Sequence, residues 1–539
     1  MIDFTKFPYL EMRETQKEIL DKLNDNWDRF RFFVIEAPTG VGKSAIAKTV
    51  CSSFRNAFLV TATKQLQDQY IADFPDGSIK SIKGRVNYPC DFNQRLNCEI
   101  GPCMVNKQLL KECRINGNCP YYNARDKALN ANVALTSYAY FLRSTECGHF
   151  WRERNVLILD ECHLLEQQIT SWAAIFLSPR DLHLKYNLFE EVPFDKFVGL
   201  SIPPEEAGYP INKIWLGNIW DLIVKKRDDL FKDMEISLNG KQPDDLIEEE
   251  LDELISTHKD YYEIDKLYKR LHVFFSATDK ESWIIEPEND GLNIQPVNVG
   301  SLFFKYVNNW ASSKIIFMSA TILDVKGFCE ELGLPKEQTA IIRAESTFDP
   351  QKSPIVYYPT GPMNYKSLDK TLPKVLESIK DILAKYPNDK GIIHSGNYKI
   401  TQAICDNIND SRLIMKDNNS NNEKLLRYHI NNSNPTVLVS PSLTTGADLK
   451  DDLSRFQIMV KLPWISLTDK RVKKKIELNE NWYSAEMFRS FMQASGRSTR
   501  SDNDWSITYV LDSSFYYWVH KYQHWFPKQF LKRIVWKKD

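Results

Sequence analysis

No excess of either charge runs through this sequence: 70 lysines and arginines face 71 aspartates and glutamates, for a net charge of −1. A chain-wide basic field is therefore excluded, and any polyanion site must be a local groove. No apolar run approaches the length of a bilayer span. The first residues, Met1-Ile2-Asp3-Phe4-Thr5-Lys6, lack the basic and apolar regions of a secretory leader, so a cytoplasmic setting with no membrane contact is expected. Internal repeats and low-complexity tracts are missing too. The 10 cysteines do not make a disulfide scaffold in a chain of 539 residues. Their placement matters more than their number. Cys90, Cys98, Cys103, Cys113 and Cys119 crowd into one segment, which in a reducing compartment points to metal before disulfide.

What is present is ample core material, 42% hydrophobic, in a chain long enough for three or four domains. Short apolar runs that end in polar residues alternate with helical patterns. Phe32-Phe33-Val34-Ile35, Phe58-Leu59-Val60, Asn132 to Thr136, Val156-Leu157-Ile158-Leu159 and Lys314 to Thr321 read as buried strands. Strands of this kind alternating with helices indicate a parallel sheet carrying its chemistry at the carboxyl edge. The sheet pattern also resumes at Ile284-Ile285 and Ile294 to Val297. Residues 179–282 are helical and carry no chemical motif; the acidic run from Asp244 to Glu253 reads as a solvated helix face. A second α/β unit begins near Arg343, with strands at Gly391 to Ser395, Thr436 to Ser440, Phe456 to Val460 and Ile507 to Leu511.

The chemistry centres on Glu36-Ala37-Pro38-Thr39-Gly40-Val41-Gly42-Lys43-Ser44, between the first strand and a good helix start. Gly40 and Gly42 let the backbone curl so that successive N–H groups face one anion, and the helix N-terminus adds partial positive charge. Lys43 can reach the outer phosphates of a nucleotide and the Ser44 hydroxyl can coordinate Mg²⁺. Ala37 stands where the strict pattern has glycine. A second strand end delivers Asp160-Glu161-Cys162-His163: Asp160 suits Mg²⁺, Glu161 suits an attacking water, and His163 could couple the site to Ser319-Ala320-Thr321. Far downstream, Gln493-Ala494-Ser495-Gly496-Arg497-Ser498-Thr499-Arg500 spaces two arginines for one helical face, able to stabilise a transferring phosphoryl group from across a cleft. Each motif has a bland reading, respectively a glycine turn, a capped helix start and solvated arginines. Together and in order they favour chemistry.

That ordered set resembles the superfamily 2 helicases, and within them the XPD/DinG group. The likeness runs from Arg13-Glu14-Thr15-Gln16 through the phosphate loop, Thr61-Ala62-Thr63, residues 160–163 and 319–321. It continues through His394-Ser395-Gly396-Asn397 and Ser440 to Leu449, to Gln493–Arg500. The resemblance implies two RecA-like parallel-sheet motor domains, α/β in class, with a cysteine-rich iron–sulfur insert and a helical arch insert in the first. The implied boundaries are 1–83, 124–178 and 283–342 for the first motor domain, 84–123 for the cluster domain, 179–282 for the arch and 343–539 for the second motor domain. It implies nucleotide contacts at Arg13, Gln16, residues 37–44, Gly446 and Asp448. Coupling falls to His163, Ser319, Ala320 and Thr321. Cys162 stands where the family usually has alanine, and Thr445 where glutamate is frequent.

Four thiolates on a loop can hold tetrahedral Zn²⁺ or a [4Fe–4S] cluster, and spacing alone does not decide. Resemblance favours the cluster, because the insert lies between Thr61-Ala62-Thr63 and residue 160 and closes in Cys119-Pro120-Tyr121-Tyr122. The expected ligands are Cys90, Cys103, Cys113 and Cys119, with Cys98 in place of Cys103 as the alternative. Lys470-Arg471-Val472-Lys473-Lys474-Lys475 after Trp464, and Tyr88, Tyr121 and Tyr122, are candidate backbone and base contacts, set against solvated charge and packed rings. The expected activity is an ATP- and Mg²⁺-dependent DNA helicase, a monomer acting on single strands and duplex junctions, with five-prime to three-prime movement by resemblance. An RNA helicase and a nucleotide-gated strand-binding module are the alternatives.

Overall fold

Strands buried on both faces need apolar residues on both, and the first sheet is built that way. Its strands are β1 (Phe32–Glu36), β2 (Ala57–Thr61), β3 (Ile79–Ser81), β4 (Val133–Ser137) and β5 (Arg154–Asp160). After β6 (Ile175–Leu177), β7 (Trp283–Glu288) and β8 (Gly291–Pro296) come its last members, β9 (Ala311–Ser319) and β10 (Thr339–Arg343). All pairs are parallel, in the order β10-β1-β9-β5-β2-β4-β3. Successive side chains point to opposite faces. Phe32, Val34, Phe58, Val60, Leu157, Leu159, Ile315 and Phe317 thus feed one core layer. Phe33, Ile35, Ala57, Leu59, Val156, Ile158, Ile316 and Met318 feed the other. The computed structural model describes residues 1–92, 94–104, 107–115, 118–146, 151–186, 188, 209–238, 248–277, 282–288, 291–346, 349–415, 422–441, 449, 451–496 and 504–536.

The second lobe repeats the plan with β11 (Ile355–Gly361), β12 (Gly391–His394), β13 (Leu413–Met415), β14 (Val437–Ser440), β15 (Phe456–Met459), β16 (Ile507–Asp512) and β17 (Ile534–Trp536). These are parallel too, ordered β13-β14-β12-β15-β16-β11-β17. Parallel strands put all their C-terminal ends on one edge, which is where each polar motif falls.

One expectation changes. Ile284-Ile285 and Ile294 to Val297 do not rejoin the first sheet: β7 and β8 pair antiparallel with each other, and β8 with β6, as a separate three-stranded sheet. In β8 the alternation is Leu292 and Ile294 buried against half-buried neighbours, the pattern of a sheet with one covered face. Between β6 and β7 the helices Tyr209–Leu238 and Glu248–Phe275 run antiparallel. Met234 meets Leu254 at one end, and Trp220 stacks on Tyr268 at 4.8 Å nearer the other.

Candidate functional site

β1 ends at Glu36 beside the end of β9, in register with Ser319, while Asp160 at the end of β5 pairs with Met318 on the other side of β9. Three polar strand ends thus lie next to one another. The loop after β1 turns through Gly40 and Gly42, both at φ 85°. The backbone conformation of Gly42 requires glycine, and a Cβ there would stand 2.3 Å from Gln16 Nε2 and push that amide off the loop. Gln16 Nε2 donates to Gly42 O at 3.4 Å, its Oε1 accepts from Arg13 N at 3.0 Å, and Arg13 Nη1 donates to Gly40 O. The helix Glu14–Asp25 is therefore a buttress for the loop. Ala37 is fully buried and its N–H donates to Ser319 O at 2.9 Å, so its methyl is core and not an obstruction. Lys43 Nζ donates to Ala37 O at 3.1 Å. Gly42→Ala combines left-handed strain of about 1–2 kcal/mol with this clash, and is expected to raise the KM for ATP roughly tenfold in steady-state hydrolysis assays.

At the end of β5 the backbone of Glu161 is left-handed, φ 51°. Strain in a non-glycine residue at a strand end turns the carboxylate out of the sheet. Tyr70 donates to Asp160 Oδ2 at 2.9 Å and also bonds the Ser44 side chain, while Tyr138 Oη donates to Asp160 O at 2.9 Å. Burial, reinforced by the neighbouring Glu161, pushes the Asp160 carboxyl up to about 6. Burial also opposes charge on Glu161. His163, Lys43 and Ser319 outweigh it and hold that carboxyl down at about 2. The adjacent acids are thus pushed apart in affinity for a proton.

His163 Nδ1 lies 2.7 Å from Ser319 Oγ and 3.3 Å from Glu161 Oε2. Its Nε2 accepts from the Gln493 amide at 2.6 Å. Gln493 belongs to the helix Glu480–Ser495 of the second lobe, so this bond crosses between lobes. Burial lowers the pKa of His163, which keeps the ring neutral and able to accept at one nitrogen while donating from the other. Arg489, one turn earlier on the Gln493 helix, donates to Thr321 O at 3.1 Å and Ile322 O at 3.3 Å.

The basic run after Trp464 is corrected by the structure. In the helix Lys470–Leu478, Arg471 pairs with Glu166 and donates to Thr170 Oγ1 at 3.0 Å and Pro296 O at 2.9 Å. Lys475 Nζ lies 3.1 Å from Glu166 and 2.5 Å from Glu331, with its side chain 2% exposed. These two cations clasp the first lobe and are not free for a polyanion; Lys470, Lys473 and Lys474 remain exposed. Trp464 packs on Tyr483 and Trp518. Tyr121 and Tyr122 are buried, with Arg85, Arg114 and Arg125 arrayed over the Tyr122 ring, and Tyr88 is half-buried against Tyr121. Breaking a buried pair leaves its partner uncompensated. Lys475→Ala is therefore expected to cost about 3–5 kcal/mol in denaturant unfolding, with part recovered by adding Glu331→Gln.

The cysteine segment gathers its thiols without bridging them. Cys98 and Cys119 sulfurs lie 3.8 Å apart, and Cys103 is hydrogen-bonded to Cys113. Cys90 and Cys98 face each other across a short loop closed by Cys90 N to Leu96 O and Cys98 N to Tyr88 O, both 2.9 Å. A Cβ on Gly101 would lie 2.9 Å from Cys90 Sγ, so only glycine leaves that sulfur its place. Among the described residues no three Cys, His, Asp or Glu side chains converge as a set for a single metal ion. Burial pushes the Cys98 thiol up to about 12 and raises Cys103 and Cys113 as well, which opposes free thiolates there.

Gly446, Asp448, Arg497 and Arg500 lie outside the described residues. Tyr70, Tyr138 and Arg489 carry no signal in the sequence, and Glu36 enters it only as the first residue of the phosphate-loop stretch. Glu36 accepts from Leu323 N at 2.6 Å and pairs with Arg343 at 3.1 Å, and burial raises its pKa. The one local signal was a glutamate ending an otherwise apolar strand.

A family model described as DEAD_2 matches residues 48–182, and one described as a helicase C-terminal domain matches residues 379–533. A probable ATP-dependent helicase of Methanocaldococcus jannaschii is 21% identical, over 95% of this chain and 93% of its own length. The ATP-dependent DNA helicase YoaA of Haemophilus influenzae is 22% identical, over 82% of this chain and 80% of its own. A solved XPD helicase structure superposes with a TM-score of 0.63 at 17% identity, covering 98% of this chain and 100% of that one. S. tokodaii Xpd4 does so with a TM-score of 0.57 at 15% identity, covering 98% and 100%. At these identities the solved structures speak for the fold.

Proposed function

This chain is an XPD/DinG-type superfamily 2 helicase, and on that footing we propose that it hydrolyses ATP at the phosphate loop to move along single-stranded DNA and part duplex strands. The observation that carries this reading is the 2.6 Å bond from Gln493 to His163, which ties the acid pair at the nucleotide site to the other lobe. A kinase has no use for such a link, and a strand-displacement assay separates a motor from a nucleotide-gated clamp.

In this reading the amides of residues 37–44 and Lys43 hold the phosphates, with Arg13 and Gln16 setting the loop. Ser44 and Asp160 hold Mg²⁺, which when bound neutralises phosphate charge. Glu161, ionised, orients the attacking water and takes its proton. Tyr70 keeps Asp160 and Ser44 in one geometry. Gln493, Arg497 and Arg500 of the second lobe close on the phosphates, joined by Gly446 and Asp448. Nucleotide state then reaches the strand grip through His163, Ser319, Ala320, Thr321 and Arg489.

Cys90, Cys103, Cys113 and Cys119 are the proposed ligands of a [4Fe–4S] cluster in residues 84–123, with Cys98 the alternative. A cluster would brace an insert that has little apolar core of its own. Residues 179–282 form the arch, and the working form is a monomer that moves five-prime to three-prime.

The test compares ATP hydrolysis with single-stranded DNA and RNA, then unwinding on duplexes with either overhang. Stimulation by DNA and unwinding from the five-prime overhang are expected. Equal or greater stimulation by RNA would move the reading to the RNA alternative.

A further inference from the structure

Two residues after Thr321 the backbone enters the left-handed region: Leu323 has φ 65° and a fully buried side chain. A bulky apolar residue holds that conformation only where its surroundings over-determine it. Here they do. Leu323 N donates to Glu36 Oε1 at 2.6 Å, and Leu323 O accepts from Arg343 Nη2 at 3.0 Å. Val325 N donates to the same oxygen at 3.0 Å, closing an inverse γ-turn at Asp324. Glu36 also accepts from the backbone N–H of Ile322 and pairs with Arg343 at 3.1 Å.

The turn sends neighbouring side chains into different lobes. Ile322 packs in the first lobe's core. Leu323 belongs instead to a cluster with Met459, Leu462, Phe488 and Phe491, whose other buried members, among the described residues, all lie between Ile355 and Ile534. Arg489, from the second lobe, holds the carbonyls of Thr321 and Ile322. At the other end of this linkage, Glu36 closes β1 and the next residue opens the phosphate loop. Its backbone is in register between Ser319 and Arg343, and Ala344 N donates to Glu36 O at 3.0 Å. A displacement of the loop therefore reaches Leu323 through one carboxylate, and the second lobe's core through one side chain. Close-packed interiors pass such shifts on.

We propose that Glu36 and Leu323 form a ball-and-socket joint between the phosphate loop and the second lobe, with Leu323 as the ball and Glu36 as its collar. Both are positioning residues that convert hydrolysis into strand separation, and neither needs to touch nucleotide or strand. The joint has this role only if the helicase reading above holds.

The deciding quantity is the number of base pairs opened per ATP hydrolysed by the full-length protein on a duplex with a five-prime overhang. In Leu323→Ala the emptied socket is expected to lower that ratio about tenfold, while the KM for ATP and hydrolysis without DNA stay as in the native protein. Leu323→Met, which conserves volume, should keep most of the ratio. Val519→Ala opens a hole in the same cluster away from the joint, and should lower the melting temperature without changing the ratio. Glu36→Gln leaves Leu323 an acceptor but removes the charge that holds Arg343. It should lower the ratio too, and it carries the test where Leu323→Ala does not fold. An unaltered ratio in Leu323→Ala or in Glu36→Gln overturns the joint. So does an equal fall in Val519→Ala, which would mean that the ratio follows the softness of the core. A native protein that hydrolyses ATP but opens no duplex would instead sink the helicase reading itself.

Discussion

Glu161→Gln is expected to lower kcat for DNA-stimulated ATP hydrolysis by about 10²–10⁴-fold while leaving ATP binding in place. The amide has nearly the shape of the carboxylate and can still meet His163 and Ser319, but it cannot take a proton from water. The native carboxyl is well suited to that task. It is held down at about 2 by His163, Lys43 and Ser319, so it is ionised throughout the working pH range. Asp160, next to it in sequence, is pushed the opposite way by burial and by Glu161, and is braced by Tyr70 at 2.9 Å. One carboxylate is thereby kept free and the other anchored. Lys43→Ala should differ in kind by weakening ATP binding itself. Equilibrium binding of a fluorescent ATP analogue beside steady-state turnover separates the two effects, and a fully active Glu161→Gln protein would remove Glu161 from the chemistry.

The second large effect concerns the thiols. Protein purified without oxygen is expected to be brown and to carry about four irons per chain, the content of a [4Fe–4S] cluster. Cys113→Ser or Cys119→Ser should abolish the colour and the iron. Strand separation should be lost with them, while nucleotide binding in the first lobe survives. Cys98→Ser is the informative comparison, because Cys98 Sγ lies 3.8 Å from Cys119 Sγ and is as deeply buried as the proposed ligands. Retained iron in Cys98→Ser keeps Cys103 in the ligand set. Loss of iron in Cys98→Ser with retention in Cys103→Ser would exchange the two. Stoichiometric zinc with no visible absorption would discard the cluster.

Much of the architecture is legible in the sequence because strands buried on both faces must be apolar throughout. Phe32 to Ile35 and Val156 to Leu159 admit few other readings, and a polar motif immediately after such a run falls on the carboxyl edge. β7 and β8 were harder. Short apolar pairs such as Ile284-Ile285 do not say which sheet they join, and the partner of β8 proved to be β6, more than a hundred residues earlier. Side chains whose meaning depends on what lies opposite were not legible. Nothing in the helix Lys64–Asp73 distinguishes Tyr70 until β2 and β5 are seen side by side. The basic run from Lys470 to Lys475 has the composition of a phosphate-binding surface. Its Val472 and Lys475 face inward, toward a first lobe that offers Glu166 and Glu331. Periodicity reveals which residues share a face and is silent about the charge of the neighbour.

Duplex separation followed in real time tests the central claim most directly, namely that hydrolysis at the first lobe is converted to movement by contact with the second. A partial duplex with a five-prime single-stranded overhang is mixed with native protein, Glu161→Gln and Gln493→Ala, with ATP hydrolysis recorded in parallel. Native protein is expected to separate the strands only with hydrolysable ATP, Glu161→Gln to bind the overhang and stall, and Gln493→Ala to lose unwinding through the broken bond to His163. Undiminished separation by Glu161→Gln, or native hydrolysis that is the same with and without single-stranded DNA, would contradict it.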